Sequence, residues 1–373
     1  MPYNTDIKNN ITIICAKSYK YGVENRMKAL VYEGKRDLRL EEYPVPQCGA
    51  KDVRIKIAYC GICGSDVHGY LGTTGRKIPP LIMGHEFAGI VDAVGEQVTR
   101  FHPGDRVTAL PVKYCGHCEY CRRGLTNICP NRNFLGVFSE NGAMCEYLCI
   151  DEQYVLSLPE DVDFIKGALI EPFAVAYRAV VSADVKDKSV LVLGAGTIGL
   201  LVVQIARFMG ARFIAVTDMS NARLELARRS GAALTVNPNE QSLAENLKSS
   251  LGSDKVDRTI EAVGATPTVQ DSLNRLKNKG LAIWIGNSAP LVQTPMQEIV
   301  TRELTVRGTY IYSNEDFKAA MHLIGSNSFD LSFIISKIVS MEEAPAMFET
   351  LSAGAGELIK VLISTSSSVE VNS

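Results

Sequence analysis

The run Ser189-Val-Leu-Val-Leu-Gly194-Ala-Gly196-Thr197-Ile198-Gly199 decides how this chain folds. A short apolar stretch ending in glycine reads as a strand, and the residues from Gly199 to Met209 read as the helix that follows it. Gly194, Gly196 and Gly199 then fall in the turn, where they allow a tight bend and let the backbone approach a pyrophosphate at the positive end of the helix. Such a turn alone also serves close packing. The next strand, Arg212 to Thr217, strengthens the dinucleotide reading because Asp218 ends it, about twenty residues on, where a carboxylate accepts hydrogen bonds from the adenosine ribose hydroxyls. Asp218 also repels a 2′-phosphate, which favours NAD over NADP, although Arg223 nearby is of the type that accepts one. Thr197 and Ile198 share the turn and belong to the same cofactor-binding set.

Outward from that turn, helix-like Asn221 to Ser230 is followed by strand-like Arg258 to Glu261, Leu281 to Ile285 and Leu304 to Arg307. This alternation predicts right-handed βαβ units and a doubly wound parallel sheet over 179–312. Leu281 to Ile285, read as the end of that sheet, predicts edge pairing with a second copy. Upstream, Lys28 to Tyr32, Val53 to Ile57, Gly89 to Val94 and Arg106 to Leu110 are short β-branched runs punctuated by Gly and Pro, the pattern of a barrel-like β domain. Glu315 to Ile324 reads as a helix that needs a partner surface, so the tail is assigned to that first domain. The chain is thus expected to be α/β, with one domain of 27–178 and 313–373, a second of 179–312, a frayed extension over 1–26 and a frayed Ser-rich end from Ser364.

Composition agrees with two domains: 373 residues at about 150 per domain, with 46% apolar residues to form cores. A formal net charge of −2 gives no basic excess for nucleic acid or anionic lipid, so neither is expected as a partner. Val190 to Ala206 is too short and glycine-rich for a membrane helix, and the first residues lack the apolar core of a signal peptide. The 10 cysteines cluster, which suits metal binding in a reducing compartment and points to the cytoplasm.

Cys115-Gly-His-Cys118-Glu-Tyr-Cys121, followed by Cys129, places four thiols in one loop at spacings that fit a closed tetrahedral zinc site. Four thiolates leave no position for substrate, so this lobe, about 111–130, reads as structural, with His117 a solvated spacer. A second constellation is scattered: Cys60-Gly-Ile-Cys63-Gly-Ser65-Asp66, Gly84-His85-Glu86 and Glu171-Pro172. Together these pieces supply thiolate, imidazole and carboxylate to one zinc, with either Cys60 or Cys63 as the sulfur and Asp66 placed to orient His85.

These motifs, with Gly84-His85-Glu86-Phe-Ala-Gly89, His102-Pro-Gly-Asp-Arg-Val107 and Gly194 to Gly199, resemble the zinc-dependent medium-chain alcohol dehydrogenases, in the polyol (sorbitol and galactitol-phosphate) dehydrogenase and threonine dehydrogenase branch. The resemblance runs from Met27 to about Ile363. It implies a GroES-like β-barrel catalytic domain beside a Rossmann domain, NAD and two zinc ions as cofactors, a catalytic zinc held by Cys63, His85 and Glu86 with Glu171 nearby, and a homodimer or homotetramer. One departure bears on substrate: sorbitol dehydrogenases carry an arginine in the stretch matching Gly308-Thr-Tyr-Ile-Tyr312, where this chain has Ile311.

The chemistry supports a metal on energetic grounds. An alcohol's pKa lies about nine units above neutrality, a gap of about 12 kcal/mol, while a side-chain base contributes about 3 to 5 kcal/mol and Lewis acidity covers the remainder. Ser65 is the first proton relay and His68 the second. Zinc with a Cys63 thiolate, neutral His85 and the Glu86 carboxylate is neutral overall, so Glu171 is expected to act through water or to leave when substrate binds. The expected function is hydride transfer between NAD and a secondary hydroxyl of a small-molecule polyol, sugar alcohol or its phosphate. L-Threonine oxidation at the 3-hydroxyl and a non-catalytic NAD-binding redox sensor are the alternatives. Arg76, Lys113, Arg302 and Arg307 are too scattered in sequence to identify a phosphate-binding wall.

Overall fold

A computed structural model describes residues 26–354 and 357–365. The expected N-terminal extension and Ser-rich end lie outside these residues, apart from Arg26, Ser364 and Thr365. A six-stranded parallel sheet runs in the order Leu234–Val236, Phe213–Thr217, Ser189–Leu193, Val256–Glu261, Leu276–Trp284, Thr305–Gly308. Every residue of Ser189–Leu193 is buried, as a central strand covered on both faces requires. From this strand the chain builds outward first on one side and then on the other, which opens a crevice at the carboxyl ends of Ser189–Leu193 and Val256–Glu261.

The expected sheet edge is corrected. Leu276–Trp284 is an interior strand, because Thr305–Gly308 pairs along its outer side from Leu281 with Thr305 to Trp284 with Gly308. The exposed edge is therefore Thr305–Gly308, one strand further out.

The second layer is built around Asp52–Ile62, which pairs with Glu86–Val94, Tyr147–Asp151 and Lys360–Ser364. Register shifts at Arg54/Ile55 and Ile57/Tyr59 bend this strand. Val155–Ser157, Arg106–Ala109 and Ile335–Ser340 complete a seven-stranded sheet, and a three-stranded sheet of Asp37–Pro44, Arg26–Gly34 and Leu81–Ile82 joins it through the Ala29–Cys145 bridge. Among the described residues these ladders run as bent open sheets without a closing pair. The register has a direct consequence. Gly61 opposes Glu86 and Ile62 opposes Val361, so Cys63, Glu86 and Lys360 meet at one end of the sheet.

Helix Ile170–Ala183 ties the layers together, packing on helices Thr197–Phe208 and Asn314–Gly325 and carrying Glu171 in its first turn. One hydrophobic core runs from Met27 through Phe173 and Val202 to Ile363. Ser313 and Asp316 form a capping box on Asn314–Gly325, which supplies the start signal for that helix.

Candidate active site

Cys63 follows the strand Asp52–Ile62 and caps the short helix Gly64–Tyr70, its Sγ accepting from the Ser65 N–H at 3.5 Å. His85 and Glu86 lie at the start of the neighbouring strand, both buried. One donor atom each from Cys63, His85 and Glu86 falls within 4.8 Å of the others, while Glu171 and Cys60 stand outside that group. Cys60 instead packs against Gly84, where an added Cβ would meet its Sγ at 2.7 Å, so of the two cysteines Cys63 is the one gathered with imidazole and carboxylate. Zinc fits this donor set on independent grounds. His85 Nδ1 is buried without a hydrogen-bond partner, and burial, with Glu86 adding and Lys360 opposing, pushes the Cys63 thiol up to about 11. A divalent cation would reverse that penalty on the thiolate.

Asp66 Oδ1 faces His85 Nδ1 at 3.8 Å, within ion-pair reach and beyond hydrogen-bond distance. Its carboxylate also accepts from Lys77 Nζ at 2.8 Å and from the Cys63 N–H at 3.0 Å, so it fixes the Cys63 turn as well. Burial opposes ionisation of Asp66, but Lys77 and His85 outweigh it and hold the carboxyl below its usual range. Glu171 accepts a 2.9 Å hydrogen bond from the Tyr312 hydroxyl. Burial pushes its carboxyl up to about 8, with Glu86 and Cys63 adding to the effect and His85 and Tyr312 opposing it.

Cys63, His85, Glu86 and Glu171 line one cavity of about 490 Å³. Ser65 and His68, one helical turn apart, reach the same cavity, as do Ile198, Val263 and Ile285 from the carboxyl ends of the parallel sheet. The two layers of the fold therefore share one space.

The cysteine lobe is a separate tetrad. Its sulfur separations are 3.9 Å for Cys115–Cys121, 3.4 Å for Cys118–Cys121, 3.8 Å for Cys118–Cys129 and 3.6 Å for Cys115–Cys129. Four sulfurs at tetrahedral Zn–S distances would stand about 3.8 Å apart, so zinc fits here too. Hydrogen bonds from the backbone of His117 and Cys118 help draw the Cys115 thiol down to about 6, which favours the ligating thiolate. The His117 ring turns back to the Cys115 carbonyl at 2.7 Å and is not among the donors.

At the glycine-rich turn, Gly194 has φ +98° and Gly196 caps helix Thr197–Phe208 without a side chain. A Cβ on Gly199 would meet the Gly194 carbonyl oxygen at 1.9 Å, so only glycine allows this helix to approach the strand. Asp218 accepts from the Ala195 N–H at 2.8 Å and the Ser220 N–H at 2.9 Å, bracing the turn. Thr197 donates to the Ile359 carbonyl at 2.9 Å, a tie to the other layer, and Arg223 stands on the first turn of helix Asn221–Ser230.

Comparison with known proteins agrees with this geometry. The alcohol dehydrogenase GroES-like domain profile matches residues 49–160, and the zinc-binding dehydrogenase profile matches 197–326. Sorbitol dehydrogenase of Mus musculus is 35% identical over 343 residues, covering 90% of this chain and 95% of that protein. The chain belongs to the zinc-binding alcohol dehydrogenases. D-xylulose reductase A of Aspergillus oryzae is 33% identical over 344 residues, covering 90% of this chain and 96% of that protein. Among solved structures, galactitol-1-phosphate dehydrogenase from Escherichia coli superposes with a TM-score of 0.84 at 31% identity, covering 91% of this chain and 100% of that one. Like its family, this zinc-binding dehydrogenase is an oxidoreductase of small-molecule alcohols that works with zinc and a nicotinamide dinucleotide. No helix among the described residues is long and apolar enough to cross a membrane.

Sequence reasoning missed three residues that brace the site of this dehydrogenase. Lys360 is buried, and its Nζ donates to both Glu86 oxygens at 2.9 and 2.7 Å and to the Ile62 carbonyl at 3.0 Å. Its signal was a lone lysine at the head of the apolar run Lys360-Val-Leu-Ile. Lys77 and Tyr312, also buried, hold Asp66 and Glu171. The phosphate-wall set is sorted as well. Arg76 lines the cavity, Lys113 pairs with Glu140, Arg302 pairs with Glu298 at 2.8 Å, and Arg307 reaches the Ser182 carbonyl at 3.2 Å.

Proposed function

We propose that this enzyme oxidises a secondary hydroxyl of a polyol, sugar alcohol or sugar-alcohol phosphate with NAD, and runs the reverse reduction, with Cys63, His85 and Glu86 as the catalytic zinc ligands. The observation that carries this reading is the single cavity shared by those donors and by Ile198, Val263 and Ile285 beside the dinucleotide turn. Zinc held there supplies Lewis acidity at the reacting hydroxyl. The chain supplies the rest. Ser65 Oγ takes the hydroxyl proton as it gives its own to His68, which passes a proton to solvent, both residues being exposed along one face of the helix that Cys63 caps. Glu171, kept outside the donor group by Tyr312, holds or releases a water next to the metal position. The apolar wall of Phe134, Val137 and Phe138 excludes bulk water from the reacting carbon.

Asp218 supports NAD over NADP, because its carboxylate stands at the end of the second strand of the sheet where a 2′-phosphate would lie. Cys115, Cys118, Cys121 and Cys129 hold the structural zinc. We assign 27–178 with 313–373 to the catalytic domain and 179–312 to the dinucleotide domain. A homodimer or homotetramer is supported by the exposed edge Thr305–Gly308 and by the exposed Leu291, Met296 and Val300, and sedimentation of the purified protein tests it. The nine described cysteines are all free, which supports work in a reducing cytoplasm.

The test is turnover by purified protein of a panel of polyols, their phosphates and L-threonine with NAD or NADP, read by absorbance of the reduced nicotinamide. Polyol oxidation with NAD is expected. Threonine oxidation alone, or no turnover with any alcohol, overturns the reading. Metal analysis sharpens the ligand assignment: Glu86→Gln is expected to lose zinc and Glu171→Gln to keep it, and the opposite result would exchange their roles.

A further inference from the structure

The active-site cavity carries positive charge that the chain itself does not neutralise. Lys360 is bound to Glu86, and Lys77 is bound to Asp66 and the Gly136 carbonyl. Arg76 and Arg132 differ: both line the cavity with Cys63, His85 and Glu171, yet among the described residues neither lies within ion-pair distance of a carboxylate. They come from separate segments, Arg76 from the loop after helix Gly64–Tyr70 and Arg132 from the end of the cysteine lobe.

Both are held in place. The Phe138 N–H donates to the Arg76 carbonyl at 2.8 Å and the Ile78 N–H donates to the Phe138 carbonyl at 3.0 Å, with Phe138 in the left-handed region at φ 59°. The Arg132 guanidinium lies over the Tyr310 ring, 5.2 Å from its centroid, and gives one N–H to the Cys129 carbonyl at 3.0 Å. Stacking and that bond orient the fork, while its remaining donors have no acceptor among the described residues. Thr74 and Ser65 add neutral hydroxyls to the same lining.

We propose that the substrate is a polyol bearing a terminal phosphate monoester, and that Arg76 and Arg132 bind the phosphate; this rests on the function proposed above. A phosphate monoester carries a charge of about −1.5 to −2 at neutral pH, enough to match two guanidiniums, whereas a carboxylate carries one charge. The pyrophosphate of the dinucleotide does not account for these arginines. Gly194 and Gly196, which mark its place, are absent from this cavity's lining, whereas Ile198, Val263 and Ile285 are part of it.

The experiment uses the zinc- and NAD-loaded enzyme and compares kcat/KM for galactitol and sorbitol, their terminal phosphates and the corresponding aldonates. The phosphate is expected to exceed its parent by about 10- to 100-fold, mostly through KM. Arg132→Ala and Arg76→Ala are each expected to cut that ratio by about 10-fold or more, and Arg132→Lys to restore part of it. Calorimetric titration of the polyol phosphate into the same proteins loaded with zinc but without NAD reads the effect without turnover: Kd is expected to rise about 10-fold or more in each alanine variant. Because Arg132 also touches the cysteine lobe, Arg76→Ala, on an exposed loop, keeps the test decisive if Arg132→Ala misfolds. Equal or greater kcat/KM for the neutral polyol, preference for the aldonate, or an unchanged ratio in Arg76→Ala overturns the inference and leaves polyol oxidation standing. Failure to oxidise any hydroxyl compound overturns polyol oxidation and, with it, this inference.

Discussion

The two donor clusters of this dehydrogenase are assembled in opposite ways. Cys115, Cys118, Cys121 and Cys129 lie in one loop whose short helix, Glu119–Arg122, buries no residue, and the tetrad is held largely by local backbone bonds. Cys63, His85 and Glu86 come from a helix cap and a strand start; Lys360, 274 positions from Glu86, holds that carboxylate, and Lys77 holds the Asp66 that fixes the Cys63 turn. A local cluster depends on its metal for order, whereas a distributed cluster is shaped by the fold before metal arrives. The two are connected: Asn127 in the lobe donates to the Tyr310 carbonyl at 2.8 Å, two residues from the tyrosine that holds Glu171.

The sharpest way to separate the clusters is Cys63→Ser. It should reduce kcat by about 10³-fold or more while NADH binding, followed by fluorescence, and overall stability stay near wild type. A fully active Cys63→Ser protein without zinc at this site would end the distinction. Next in size is Lys360→Met, which leaves Glu86 buried without its cation. In chelator-treated protein it should cost about 3–5 kcal/mol in urea denaturation, and zinc should recover much of the loss because the metal supplies the missing charge. An equal loss with and without zinc would show that the lysine acts through packing alone.

Cys118→Ser should act on the other cluster, lowering Tm by about 5–10 °C with release of one zinc per chain and a smaller fall in kcat. If kcat collapses while Tm holds, the lobe is part of the catalytic machinery. The smallest effect concerns pH. Glu171 is raised from 4.5 to about 8, so the folded metal-free protein binds the proton more tightly than the unfolded chain. Its contribution to stability is therefore complete below about pH 4.5 and is lost as pH rises towards about 8. Denaturation of chelated protein across this range should show that decline, and Glu171→Gln should flatten it.

How much was legible beforehand follows the same division. Ser220 capping helix Asn221–Ser230 and Gly231 closing it are local signals, and that helix has the predicted bounds. The cysteine tetrad is legible for the same reason: its ligands are neighbours in sequence. The sheet edge was misplaced by one strand because Leu281 to Ile285 and Leu304 to Arg307 look alike as strands, and sequence alone does not say which pairs outside the other. Lys77 as a second partner of Asp66 was not legible, because nothing local marks that lysine as buried.

Sequence alone determined the alternating βα pattern, the glycine turn with its acid, and both sets of metal-donor types, because each depends on backbone conformation or on side-chain chemistry over short spans. Only the tertiary structure decided which buried cation faces which acid: Lys360 on Glu86, Lys77 on Asp66, and Arg76 and Arg132 in the cavity with no acid of their own. The reason is physical. Removing a charge from water is costly enough that its partner must be built in, and that partner is set by strand register and packing, across 274 positions for Lys360 and Glu86 and across 11 for Lys77 and Asp66.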